Sequence, residues 1–116
     1  MKHAHLIHRG EARRIAVDVA DRPFERMRGL LGRSGIDADR ALWLEPCNAV
    51  HTFGMRFPID VVFIDRCGCV LAVHRNVGRA RVLVCRRARS TVEMRAHAAQ
   101  AWHIDVGDTL AWRASA

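Results

Sequence analysis

The densest run of residues able to do chemistry lies between His51 and Asp60, where His51, Thr52, Met55, Arg56 and Asp60 fall within one turn of mixed composition and the start of an apolar segment. Asp60 sits inside the run Ile59-Asp60-Val61-Val62-Phe63-Ile64, and Glu93 is placed the same way between Val92 and Met94. A carboxylate carried into a core by such a strand needs a partner, because an unpaired ion there costs several kcal/mol even after relaxation. Arg56 is the nearest cation to Asp60 in sequence, and Arg28 or Arg33 from the preceding segment could reach in. Two readings follow. In one, buried ion pairs lock a helix to a sheet. In the other, Arg56 holds an anionic group in a pocket while Asp60 and Glu93 orient it. The functional expectation is a non-catalytic binding module for a small anion, a sugar or a peptide. Its ligand end comprises His51, Thr52, Met55, Arg56 and Asp60, supported by Arg33 and Glu93.

Other chemistries have weaker support. Cys47 and His51 lie four apart, and a Cys–His pair can supply an activated thiolate, but no small-residue elbow exposes the sulfur. His51, His74 and Asp60 are the types of a two-histidine, one-carboxylate metal site, and a small hydrolase or metal-dependent enzyme using His51 and Asp60 is the enzymatic alternative. Cys67-Gly68-Cys69 has the look of a metal clip without the second pair that zinc requires, so two small side chains around a turn glycine is the favoured reading. His3, His5 and His8 alternate near the N-terminus, where a frayed end is the simpler account. No metal and no cofactor is expected.

The chain has a formal charge of +7, and Lys2 is its only lysine. Arginine is the better phosphate fork, yet the arginines are scattered apart from Arg86-Arg87-Ala88-Arg89, and no aromatic residues interleave with them for base stacking. Specific nucleic-acid recognition is therefore not expected. A third functional reading is an accessory protein of a larger assembly, docking through an arginine-rich surface. Its binding would weaken with salt and ignore Arg56→Ala. No apolar run approaches the ~20 residues needed to span a bilayer. Met1-Lys2-His3-Ala4-His5 is too polar for a secretory signal, so a cytoplasmic location is expected, with Cys47, Cys67, Cys69 and Cys85 as thiols.

At 116 residues, half of them apolar, the chain reads as one domain over 1–116, with 1–10 as a partly ordered arm or an edge strand. Ile15, Val17 and Val19 alternate with Arg14, Ala16 and Asp18, the period of a half-buried strand. Asp21 then offers an N-cap and Pro23 a first-turn residue. Phe24, Met27, Leu30 and Leu31 form the apolar face of a short helix that Gly32 or Gly35 can end. Further strands are expected at Ala41–Leu44, at Ile59–Ile64 (apolar on nearly both faces, hence central), and at Val70–His74 as the return of a hairpin. Val82–Val84, Thr91–Met94 and Thr109–Trp112 complete the set, and Ala96–Trp102 has helical composition. This pattern predicts a compact, β-rich α+β domain, a bent sheet or small barrel-like fold with one or two short helices.

The order of these pieces has a counterpart. Arg28-Gly29-Leu30-Leu31-Gly32-Arg33, followed by His51-Thr52-Phe53-Gly54-Met55-Arg56-Phe57-Pro58-Ile59-Asp60, resembles the bacterial and archaeal family known as domain of unknown function 192. Asp65-Arg66-Cys67-Gly68-Cys69-Val70, Val92-Glu93-Met94 and Val106-Gly107-Asp108 fit the same pattern in order, so the likeness runs from about Val17 to Leu110. The resemblance implies a β-rich, barrel-like domain and no established reaction, cofactor or substrate. One departure stands out: the family usually has Ala-Gly where this chain has Ala96-His97, so the backbone freedom of that glycine must be met another way.

Overall fold

The computed structural model describes residues 1–30 and 32–115. Leu31, and the side chains of Met27 and Arg28, on which the expected faces of the first helix partly rest, lie outside the described residues. The elements run β1 (Lys2–His8), β2 (Glu11–Ala20), α1 (Pro23–Arg28), β3 (Arg40–Leu44), β4 (Ala49–His51) and β5 (Ile59–Ile64). They continue with β6 (Val70–Val77), β7 (Val82–Val84), β8 (Ser90–Arg95), α2 (Ala98–Ala101) and β9 (Leu110–Ala114). Seven strands form one mixed sheet in the order β6-β5-β8-β3-β2-β1-β9, and β4 pairs with β7 in a separate ribbon.

The apolar runs explain the layering. Every residue of β5 is buried, because β6 and β8 flank it and both of its faces are covered. Along β3, Ala41 and Trp43 face one core cluster, and Leu42 and Leu44 face the other. The first cluster lies under α2, with Ala98, Ala99 and Trp102 packed on Val62, Val92 and Met94. The second holds Leu30, Met55, Phe63 and Leu83 on the opposite face, under the β4–β7 ribbon. The sheet bends until its end strands approach: Cys69 and Thr109 form one isolated bridge, and Val70 N–H donates to the Asp108 carbonyl at 2.8 Å. That single bridge joins the ends without closing a barrel. Gly68 is required in this corner, since its φ is +87° and a Cβ there would lie 3.0 Å from the Leu110 carbonyl oxygen.

Three local expectations are corrected. The residues 1–10 contain an interior strand, because β9 pairs with the outer side of β1 and Leu6 is fully buried. Arg22 rather than Asp21 occupies the N-cap position, without a side-chain capping bond, and the Asp21 carboxylate is held by Lys2 at 2.9 Å. It stops at Gly29 (φ +48°), short of Gly32, so Phe24 is left 71% exposed and Leu30 is the residue that reaches the core.

A polar staple fixes β1 to the turn before β9. His8 is buried and its Nε2–H donates to Asp108 at 2.9 Å, while the Arg13 guanidinium donates to His8 Nδ1 at 2.8 Å and so selects that tautomer. Asp108 also accepts from Arg9 and from the Asp105 backbone N–H. The His8 hydrogen bond leads the effects that hold the Asp108 carboxyl at about 2, below its ordinary 3.8. A depressed carboxylate contributes stability above its unfolded value that is lost as pH falls through the folded one. Asp108→Asn is therefore expected to lower the melting temperature at pH 7, with the gap to wild type narrowing from about pH 4 and closing near pH 2 in a thermal-melt series.

Candidate functional site

Between α1 and β4 the molecule opens into a cleft of about 400 Å³. Arg26, Gly29 and Leu30 form one wall, and the consecutive residues Cys47 to His51 form the other. Leu44, Met55 and Glu93 line it as well. The lining is half apolar because two elements too short to close over the second core cluster meet here: a six-residue helix and a three-residue strand. A concave, partly apolar site with a few convergent polar groups is the usual form of a small-ligand pocket.

Glu93 distinguishes this cleft. It projects from the middle of β8 on the same face as Val61 and Leu42, its partners across the two ladders, and only 5% of it is exposed. Burial pushes its carboxyl up from 4.5 to about 7, and the Arg33 guanidinium opposes that rise only in part. The next backbone is close: a Cβ added to Gly29 would lie 3.7 Å from Glu93 Oε1.

Asp60 has a different environment. Its register partner is Met94, so it faces the side of the sheet opposite to Glu93 and is fully buried. Its expected arginine partner is replaced by three backbone donors. Oδ1 accepts from Asn76 N–H at 2.8 Å and His97 N–H at 3.1 Å, and Oδ2 accepts from Ala99 N–H at 2.9 Å. The donors sit at the end of β6 and the start of α2, where chain reversal aims amide groups inward. Two of them belong to left-handed residues, Asn76 (φ +50°) and His97 (φ +74°). His97 thus meets the conformation without glycine, held in place by Asp60. His97→Gly is expected to raise stability by about 1 kcal/mol, measured as an increase in urea midpoint at unchanged slope.

The remaining sequence candidates separate in the same way. Met55 is buried at the cleft wall and His51 stands exposed at its rim, with its ring 5.8 Å from Phe53. Thr52 is buried and its hydroxyl is occupied, donating to the Gly78 carbonyl at 2.7 Å and accepting from Arg81 N–H at 2.9 Å. Arg56 is exposed on the turn before β5 and lines no part of the cleft. Arg33 is half-buried and acts on Glu93 through its charge. His74 lies edge-on to Phe63 at 5.7 Å, on the face away from Asp60, so the two-histidine, one-carboxylate trio is not assembled. Among the described residues no three His, Cys, Asp or Glu side chains are grouped to hold a metal ion. Cys47 and His51 do share the cleft, but the Cys47 thiol is turned toward the Ala49 carbonyl at 3.3 Å. Sequence reasoning missed Leu30, Leu44 and Ala49 as wall residues. Only the Pro46 strand stop hinted that the chain turns outward there.

The same arrangement of elements is found in other proteins. A family model for domain of unknown function 192, described as "Uncharacterized ACR", matches residues 4–112. The chain belongs to that family. The likeness read from about Val17 to Leu110 is thus shown for this DUF192 domain and extends on its N-terminal side to residue 4. A crystal structure from Sinorhizobium meliloti 1021, described as a "putative transcription regulator", is similar with a TM-score of 0.82 at 20% identity, covering 96% of this chain and 92% of that one. A protein of unknown function from Novosphingobium aromaticivorans DSM 12444 is similar with a TM-score of 0.81 at 15% identity, covering 95% and 84%. At these identities the two structures establish a shared fold. No curated protein matches this DUF192 chain in sequence.

Proposed function

We propose that this DUF192 domain is a non-catalytic binding module whose ligand occupies the cleft between α1 and β4. The observation that carries the reading is Glu93, an acid that lines the cleft although only 5% of the residue is exposed. Such a group costs stability that an apolar side chain of similar size would not, and a ligand that donates a hydrogen bond to it offsets that cost. Met55, Leu30 and Leu44 supply apolar contact for the body of the ligand, and His51 adds a polar group at the rim. Of the ligand classes expected from the sequence, a sugar or peptide with hydroxyl or amide donors suits this cleft better than an anion, which Glu93 would repel once ionised. The free thiols of Cys47, Cys67, Cys69 and Cys85 suit a cytoplasmic setting, and among the described residues no helix is long and apolar enough to cross a membrane.

A thermal-shift screen with sugars, small amides, blocked peptides and inorganic anions tests this on wild type, Glu93→Gln and Arg56→Ala. A ligand at a hundredfold its dissociation constant adds about 2.7 kcal/mol, enough for a clear shift in a domain of this size. The expected result is a hit kept by Arg56→Ala and lost or altered by Glu93→Gln. A hit that depends on Arg56 and ignores Glu93 would move the site out of the cleft.

A second reading has one observation of its own. Arg66, Arg86, Arg87 and Arg89 surround a hollow of about 740 Å³ beside the β5–β6 turn, and none of them pairs with a carboxylate among the described residues. Asp65, the one acid there, is engaged with the Cys67 and Cys69 backbone N–H groups. This patch suits docking onto an acidic surface of an assembly, or non-specific contact with a nucleic-acid backbone of the kind a transcription regulator makes. Either form of binding falls steeply as salt rises and is lost in an Arg86→Glu/Arg87→Glu variant. Salt-insensitive retention on an acidic matrix would remove it.

A further inference from the structure

The wall formed by β4 has a property that narrows the ligand class. In its ribbon, Val50 lies opposite Leu83, and the flanking bonds run from Cys85 N–H to the Asn48 carbonyl at 2.8 Å and from Thr52 N–H to the Arg81 carbonyl at 2.9 Å. The even-numbered residues 48, 50 and 52 therefore face β7, because backbone groups in an antiparallel ladder alternate in direction. The N–H and C=O groups of Ala49 and His51 point the other way. Among the described residues no backbone group takes them, and the Ala49 carbonyl receives only the weak Cys47 thiol contact.

That free edge borders the cleft. All three residues of β4, Ala49 to His51, line it, whereas no residue of β7 does. Consecutive residues of a strand point to alternate faces, so they can share a cavity only along the strand's edge. The cleft is thus the space beside an unpaired strand edge, roofed by α1, with a buried carboxyl in its lining.

We infer that the cleft takes an extended peptide, which adds to β4 as a third strand of the ribbon and directs a neutral hydrogen-bond-donating side chain, a hydroxyl or carboxamide, onto Glu93. The inference rests on the reading of the cleft as a ligand site and specifies its occupant. Strand addition at an exposed edge is a common mode of peptide capture, with main-chain bonds giving affinity and a side-chain pocket giving selectivity. Arg26 in the cleft wall, the Arg33 charge acting on Glu93 and the net charge of +7 disfavour a cationic side chain at that position. Leu30, Leu44 and Met55 favour apolar neighbours on either side of it.

The test uses the blocked pentapeptide Ac-Ala-Val-Thr-Val-Ala-NH2, its isosteric central-valine analogue, and a version N-methylated on the amides that would face β4. Binding to the full chain is followed by amide NMR shifts and titration. The expected result is that the threonine peptide shifts the Ala49 and His51 amides, and that N-methylation weakens it at least about tenfold. Replacing threonine by valine is expected to weaken binding to wild type roughly tenfold, and far less to Glu93→Gln. Binding that tolerates N-methylation, or leaves the Ala49 and His51 amides unmoved, would overturn strand addition. If no peptide binds while a sugar or small amide still gives a Glu93-dependent thermal shift, the cleft reading stands and the peptide inference falls. If neither binds, both fall.

Discussion

Asp60→Ala is expected to cost about 3–5 kcal/mol, among the largest single losses available to this chain, because it strands three buried N–H donors at once. The carboxylate is fully buried and joins Asn76, His97 and Ala99, so it ties β5 to the end of β6 and to the start of α2. Against the 5–15 kcal/mol total usual for a domain, such a loss leaves the fold marginal at 37 °C. Asp60→Asn should fall between the two, since its amide nitrogen cannot accept the Ala99 N–H. Urea unfolding of the three proteins measures the order. A cost below about 1 kcal/mol for alanine would mean that water or a shifted backbone satisfies those amides instead.

Glu93→Gln is expected to act in the opposite direction, and in a pH-dependent way. The folded-state carboxyl lies at about 7 against an ordinary 4.5, raised by burial. Between those values the folded protein holds a proton that the unfolded chain has lost, so wild-type stability falls as pH rises across that window and levels off above it. The fall amounts to about 3 kcal/mol at most, at 1.36 kcal/mol for each pH unit of displacement. The glutamine variant lacks this fall: near pH 4.5 the two proteins should be similar, and at pH 8 the variant should be clearly the more stable. Chemical denaturation at the two pH values decides it. Equal stability at pH 8 would show that the ionised carboxylate is well solvated or paired.

These two acids also mark the boundary of what could be read from the sequence. Both were legible as carboxylates on apolar strands in need of partners, and β5 and β8 were legible because Ile59–Ile64 and Val92–Met94 allow little else. Which face each acid occupies was not legible. That depends on Val61 lying opposite Glu93 and Asp60 opposite Met94, a register between strands about thirty residues apart that no local pattern fixes. Expecting arginine partners for Asp60 followed from charge alone, whereas the two left-handed corners that supply amide donors are tertiary features. The Ala96-His97 departure from the family pattern did point to one of those corners. β4 escaped notice because three residues of weak strand composition become a strand only through β7. The exposed Phe24 shows the same limit, since Gly29 ends the helix before its apolar face is complete.

The most direct test of the central claim, that the Glu93 cleft is a ligand site, is amide NMR mapping of the strongest thermal-shift hit on wild type and Glu93→Gln. The account predicts perturbations concentrated at Leu30, Val50, His51 and Glu93, and their loss or sharp reduction in the variant. Perturbations centred instead on the Arg56 turn or on Arg86 and Arg87, unchanged by Glu93→Gln, would contradict it.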